Sequence, residues 1–115
     1  MDEYKKLHSE ERRIVECKRI LTKHPTRVPI IVCKDKACKL NPIDKQKYLV
    51  PKDMSLGQFA YVVRKKIQLK PEEALFILIN NGLVPGNKLL QDIYESEKDT
   101  DGFLYVTYSS ENTFG

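Results

Sequence analysis

The chain has no tryptophan, only two histidines and three cysteines, and no apolar run longer than six residues. Each shortage removes a class of function. The longest apolar run, Ala74 to Ile79, is far short of the roughly 20 residues that span a bilayer. The N-terminus is charged and unlike a secretory signal, so a soluble, cytosolic polypeptide is expected. Cys17, Cys33 and Cys38 are an odd number without a CxxC pair, which predicts free thiols in a reducing compartment. Cys33 and Cys38, with His24 upstream, lack the paired spacing and the four ligands of a zinc site. Glu97, Asp99, Asp101 and Gly102 echo the start of a calcium loop, but Tyr108 stands where that loop needs a bidentate glutamate. A turn is expected there instead. There is neither a phosphate-cradling glycine loop nor a GxSxG elbow. No catalytic residue, metal or cofactor is expected.

What the chain does contain is charge, unevenly spread. Its 115 residues, 41% of them hydrophobic, suit one domain with a real core. Residues 1–70 hold 18 Lys and Arg against 8 Asp and Glu, a balance of +10, whereas residues 71–115 hold 2 against 8, a balance of −6. A basic front half suits anionic lipid, tubulin, nucleic acid or peptides flanked by acidic residues. The basic runs lack the interleaved aromatics that stack bases, so nucleic acid is not the expected partner.

Hydrophobic spacing and turn chemistry predict the elements. Ser9 followed by Glu10 and Glu11 is a helix start, because a hydroxyl cap and an acidic first turn satisfy free amides and the positive dipole end. This helix ends before Pro25, with Ile14, Cys17, Ile20 and Leu21 as its apolar stripe and Arg12, Arg13, Lys18 and Arg19 in water. Residues 2–8 add a short helix. Val28 to Cys33 is a strand, with Pro29 tolerated near its entry or at a sheet edge, and Lys47 to Val50 is its hairpin partner. The charged segment between them, with Asn41-Pro42, is a long loop. Ser55 and Gln58 form a capping box ahead of a helix with Leu56, Phe59, Val63 and Ile67 on one face. Ala74 to Ile79, stopped by Asn80-Asn81-Gly82, predicts a strand buried on both faces. Leu89, Leu90, Ile93 and Tyr94 suggest a short helix, Asp99 to Gly102 a turn, and Phe103 to Tyr108 the last strand. The order is helices, then ββαβαβ. That is an α+β, ubiquitin-like β-grasp with a mixed sheet: residues 1–25 form an N-terminal helical extension, and residues 26–115 the core and C-terminal tail of the same domain.

Several long motifs sit in this frame. Arg27-Val28-Pro29-Ile30-Ile31-Val32, Asp44 to Pro51, Gly57-Gln58-Phe59, Ile93-Tyr94-Glu95, Asp101 to Tyr105 and Glu111 to Gly115 resemble the autophagy-related protein 8 family, which includes the GABA-receptor-associated proteins and microtubule-associated protein light chain 3. The resemblance runs from about Glu10 to Gly115. It implies a ubiquitin-like modifier whose terminal glycine, matched by Gly115, is activated by an E1-like enzyme, passed through E2-like enzymes as a thioester and joined to phosphatidylethanolamine. A glycine carboxylate suits that route, having no Cβ to hinder a narrow channel or an incoming amine. A deconjugating cysteine protease is a further implied partner. Family precursors commonly carry residues beyond the glycine; none follows Gly115 here, so a product without a tail, a processed form and a truncated form are all compatible. The protein is expected in the cytoplasm when free and on autophagosomal or related membranes when lipidated. The alternative is a non-covalent β-grasp adaptor for trafficking or microtubules, with Gly115 unused.

The resemblance also implies capture of aromatic-x-x-aliphatic motifs in cargo receptors by strand addition to the Lys47 to Val50 edge. Alternation sends Lys47 and Leu49 one way and Tyr48 and Val50 the other. Glu16, Ile20, Pro29, Ile31, Lys47, Leu49 and Phe103 would line the aromatic pocket. Tyr48, Val50, Pro51, Phe59, Val62 and Val63 would line the aliphatic one, and Arg27, Lys45, Lys47, Arg64, Lys65 and Lys66 would attract acidic flanks. On apolarity alone Ile31, Leu49, Phe59 and Val63 would be assigned to the core. Val62 and Val63 are smaller than the leucine or isoleucine frequent there, which implies a roomier aliphatic pocket. Lys66 stands where arginine is usual and loses the planar fork for carboxylates.

Overall fold

The computed structural model describes residues 2–110. The elements, in chain order, are α1 (Asp2–Leu7), α2 (Glu10–Lys23), β1 (Arg27–Lys34), β2 (Lys47–Pro51), α3 (Leu56–Lys66), β3 (Phe76–Ile79), β4 (Gly82–Leu83), α4 (Leu90–Glu97) and β5 (Leu104–Ser109). The five strands form one mixed sheet in the order β2-β1-β5-β3-β4. β1 runs parallel to β5, and the other neighbours are antiparallel. Beyond the expected order there is one addition, the two-residue β4.

The helix starts form as their sequences dictate. Ser9 accepts a hydrogen bond from the Arg12 amide at 3.3 Å, satisfying one of the orphan donors of α2. At α3 both halves of the capping box are made: Gln58 N–H donates to Ser55 Oγ at 3.2 Å and Ser55 N–H to Gln58 Oε1 at 2.9 Å. The α3 stripe then buries Leu56, Phe59, Val63 and Ile67 against one sheet face, with Val28, Ile30, Val32, Tyr48, Val50, Leu104, Val106 and Tyr108. Each such side chain contributes about 1.5–3 kcal/mol by leaving water. Leu90 and Ile93 of α4 join this cluster. Gly57 lets α3 begin close to the chain at Gly86, since a Cβ there would meet the Gly86 carbonyl at 3.2 Å.

α1 and α2 lie across the opposite face. There Tyr4, Cys17 and Ile20 pack with Ile31, Cys33, Phe103 and Tyr105. Covered on both sides, β1 is buried from Val28 to Cys33, which explains its continuous apolar run. Pro29 sits inside the sheet without loss. The Val32 amide donates to the Gln46 carbonyl at 2.8 Å, so even-numbered residues of β1 turn their amides to β2. The Pro29 nitrogen faces the β5 side, where pairing begins only at Ile30.

Three expectations need correction. Arg13 is not in water: it is 8% exposed and pairs with Asp101, because the stripe of α2 is centred on Arg13, Cys17 and Ile20, leaving Ile14 only partly buried. The strand expected over Ala74 to Ile79 is shorter and is not buried on both faces. Ile77 and Ile79 are buried while Phe76 and Leu78 are half-buried, since the cluster beneath α1 and α2 holds no β3 residue. Finally, Asn80-Asn81 does not simply end the strand. Both residues have positive φ, 50° and 64°, and Ile79 pairs with Gly82, a two-residue hairpin turn that starts β4.

The long loop before β2 is tied to the core. Cys38 and Leu40 are buried, the Tyr108 hydroxyl donates to the Asn41 carbonyl at 2.7 Å, and Asn41 Nδ2 donates to the Ile67 carbonyl at 2.8 Å. All three cysteines are free and buried; burial pushes the Cys17 thiol up to about 11. One polar atom in this core stands out: among the described residues the buried Tyr48 hydroxyl has no hydrogen-bond partner. An unmatched buried hydroxyl costs free energy that a methine of the same shape does not. Tyr48→Phe is therefore expected to leave stability unchanged or raise it by up to about 1 kcal/mol, measured by urea unfolding; a loss above that size would contradict the orphaned hydroxyl.

Candidate functional site: an open sheet edge between two apolar clusters

β2 is an edge strand. Its even-numbered backbone groups pair with β1, as the Val32 to Gln46 bond fixes, so the N–H and C=O of Lys47 and Leu49 point outward. Side chains alternate as expected. Tyr48 and Val50 enter the cluster beneath α3, and Leu49 packs against the cluster beneath α2. The outward backbone groups therefore run along a shallow groove with one apolar cluster on either side, the arrangement that accepts an added strand.

Toward α2, Ile20, Ile31 and Phe103 share one cluster, and Pro29 is buried opposite Leu49. Glu16 of α2 and Lys47 of β2 form an ion pair across the groove, both partly exposed. Toward α3, the Tyr48 and Phe59 rings meet edge to face at 5.8 Å. Phe59, Val63, Ile31 and Phe103 have no exposed surface, so in this structure they are core residues behind the edge and present no surface to a ligand. Lys47, Leu49 and Val62 are half-buried and Pro51 is exposed, so these offer the reachable walls.

The basic residues divide by engagement. Arg64 is committed to the chain after α3, donating to the Glu73 and Lys70 carbonyls at 3.1 Å each. Lys45 lies 5.2 Å over the Tyr48 ring and Lys65 4.8 Å over the Tyr61 ring, contacts worth about 0.5–1 kcal/mol when exposed. Lys66 is exposed. Arg27 is also exposed, yet its Nη1 donates to the Leu49 carbonyl at 3.2 Å, an outward group of the edge itself. Gly115 lies outside the described residues.

A buried polar knot, of which only the Asp99 to Gly102 turn was expected, ties the helices to the turn before β5. Arg13 Nη1 donates to Asp101 Oδ2 at 2.6 Å, and its Nε donates to the His8 carbonyl at 3.1 Å. The Tyr105 hydroxyl donates to the same Asp101 oxygen at 2.5 Å, while the Phe103 amide donates to Oδ1 at 2.8 Å. Burial would lower Arg13, but its bonds to Asp101 and Tyr105 outweigh that and raise it. Burial, then the bond to Asp101, raises the Tyr105 phenol far above its usual range. Gly102 permits the turn: its φ is +97°, and a Cβ there would stand 2.7 Å from Cys17 Sγ. The signal for Arg13 was in the sequence, since positions 13, 17 and 20 share a helical face.

The outer end of the knot is titratable. Lys5 Nζ donates to Asp99 Oδ1 at 2.8 Å and the Asp101 amide to Oδ2 at 3.2 Å. Burial would raise Asp99, but the Lys5 bond and then the amide bond prevail and lower it. A depressed carboxyl stabilises above its unfolded value, near 3.8, and loses that contribution as pH falls through the folded value. Asp99→Asn should therefore destabilise at pH 7 and differ least from the parent at the acid end, checked by unfolding midpoints from pH 7 to 3. A constant difference across that range would contradict the tether.

Among the described residues no group of three His, Cys, Asp or Glu is placed to hold a metal, and no helix is long and apolar enough to cross a membrane. A cleft of about 1080 Å³ lies further along the face carrying α1 and α2, lined by Cys33, Leu78, Thr107 and charged residues including Lys34, Asp35 and Asp44. Its lining reaches Gln46, just before β2, but includes no β2 residue.

A mixed sheet holding α3 and the short α4 on one face, an N-terminal helical pair on the other and an accessible edge strand define a ubiquitin-like protein of the helically extended class. Residues 12–115 match the family described as "Autophagy protein Atg8 ubiquitin like". The chain is 55% identical to autophagy-related protein 8B of Oryza sativa over 108 residues, 94% of this chain and 91% of that protein. It is 50% identical to autophagy-related protein 8 of Emericella nidulans over 112 residues, 97% and 95% of the two. The crystal structure of Trypanosoma brucei ATG8 superposes with a TM-score of 0.90 at 43% identity, covering 97% of each chain. This chain belongs to the Atg8 family of ubiquitin-like autophagy proteins.

Proposed function

We propose that the protein is a lipid-conjugated modifier that recruits peptide-bearing partners to autophagosomal membranes. In this reading it is a substrate of E1-like and E2-like enzymes and of a deconjugating cysteine protease, and not itself an enzyme. Gly115 joins the amine of phosphatidylethanolamine. Two acyl chains, at roughly 0.8 kcal/mol per buried methylene, hold a protein that one chain would hold only marginally. The free protein is then cytoplasmic and the conjugate membrane-bound. The charged, partly exposed walls of the groove and the basic residues around it favour cargo receptors with aromatic-x-x-aliphatic motifs and acidic flanks.

The observation that carries the peptide reading is the outward-facing Lys47 and Leu49 backbone, flanked by an apolar cluster on each side. A titration of the isotopically labelled chain with an acidic-flanked peptide of that pattern tests it. Amide shifts should concentrate at Lys47, Leu49 and the Glu16 to Ile20 turn. Shifts confined to the opposite edge, at Gly82 and Leu83, would overturn this placement.

A further inference from the structure

We propose that Asp101 is a positioning residue for the aromatic half of the groove: through Arg13 and Phe103 it fixes the distance between the α2 wall and the sheet, and so sets which aromatic anchor the groove accepts. This rests on the peptide-binding reading above.

The geometry is specific to that half. One carboxylate, with no side-chain exposure, holds α2 through Arg13 by one oxygen and the Phe103 backbone by the other. Arg13 is one helical turn from Glu16 and Cys17, and two from Ile20, so whatever holds Arg13 orients the face that carries the α2 wall. Phe103 is buried in the cluster that faces α2, with Cys17 and Ile20. Tyr105 adds a bond to Asp101 from β5, and the Tyr94 hydroxyl holds the same turn by donating to the Gly102 carbonyl at 2.6 Å. Among the described residues nothing comparable links α2 to α3: Tyr48, Val50, Phe59 and Val63 belong to the other cluster. A site held by buried hydrogen bonds keeps its dimensions, and one whose support is removed loosens locally. Releasing Asp101 from Arg13 should widen the aromatic side and leave the aliphatic side as it was.

Asp101→Asn is the main test, because the amide oxygen can still accept from Phe103 while the charge that holds Arg13 is lost. Peptides varied at one anchor at a time are titrated against the full chain, at a temperature where circular dichroism shows parent and variant equally folded. The preference for tryptophan over leucine at the first anchor should fall about tenfold, while the preference for leucine over alanine at the second anchor stays within twofold. Nuclear Overhauser contacts between Ile20 and Phe103 should weaken in the free variant. Tyr105→Phe, which removes one bond and keeps the ion pair, should shift the first preference in the same direction by a smaller factor. It stands in if Asp101→Asn does not fold.

Unchanged preferences at both anchors in a folded variant overturn the proposal, and so does an equal fall at both, which marks general loosening. Failure of the parent chain to bind any such peptide removes the groove reading instead. In that case the Ile20 to Phe103 contacts still decide the latch: their persistence in Asp101→Asn refutes it.

Discussion

Phe59→Ala is expected to lower stability by about 3–5 kcal/mol, the range for emptying an aromatic site in a packed core. Phe59 has no exposed surface, stacks edge to face on Tyr48 and lies in the same cluster as Val63, Val50 and Ile30. It is carried by a short helix whose N-terminus is capped and pinned at Gly86, so the helix cannot slide to refill the space. Against a total of roughly 5–15 kcal/mol for such a domain, the loss is about a fifth or more. The unfolding midpoint should fall by on the order of 15 °C. A fall of only a few degrees would mean that α3 does not pack as described. Any peptide measurement on this variant must therefore be read beside its stability.

Arg13→Ala is the second large effect. The mutation strips a buried carboxylate of its only cationic hydrogen-bond partner among the described residues, while Tyr105 and Phe103 still donate to Asp101. Breaking a buried pair from one side costs about 3–5 kcal/mol, and the surviving donors place this case near the lower end. Removing both charges, as Arg13→Met with Asp101→Asn, should cost less than the single change, because no unpaired charge is left in the interior. Denaturant unfolding of Arg13→Ala, Arg13→Met, Asp101→Asn and the double variant checks this. A cost below about 1 kcal/mol for Arg13→Ala would place the pair among surface ion pairs.

These two residues also mark where sequence reasoning succeeded and where it fell short. Phe59 was legible because the capping box sets the helix phase and the Leu56, Phe59, Val63 and Ile67 spacing then leaves one buried face. Arg13 lies on an equally regular face, yet its burial depends on a carboxylate 88 positions away, and local patterning carries no information on that partner. The half-exposure of Phe76 and Leu78 was hidden for a similar reason: it is decided by how far the N-terminal helices reach across the sheet. The β4 hairpin was signalled by Asn80-Asn81-Gly82, which is turn chemistry that also ends a strand. For the groove, alternation along Lys47 to Val50 gave the two directions, but apolarity cannot separate a pocket wall from the core. Phe59 and Val63 are completely buried, and only the family resemblance linked them to a binding surface.

The proposed lipid conjugation puts membrane attachment at Gly115. The most direct measurement incubates the purified chain with matched E1-like and E2-like enzymes, ATP and phosphatidylethanolamine liposomes, beside Gly115→Ala, and follows both by intact mass and membrane flotation. The expected result is a phosphatidylethanolamine adduct that floats with the liposomes for the parent chain and none for Gly115→Ala. No adduct from enzymes shown to be active on another substrate, or an equal adduct on Gly115→Ala, would contradict it.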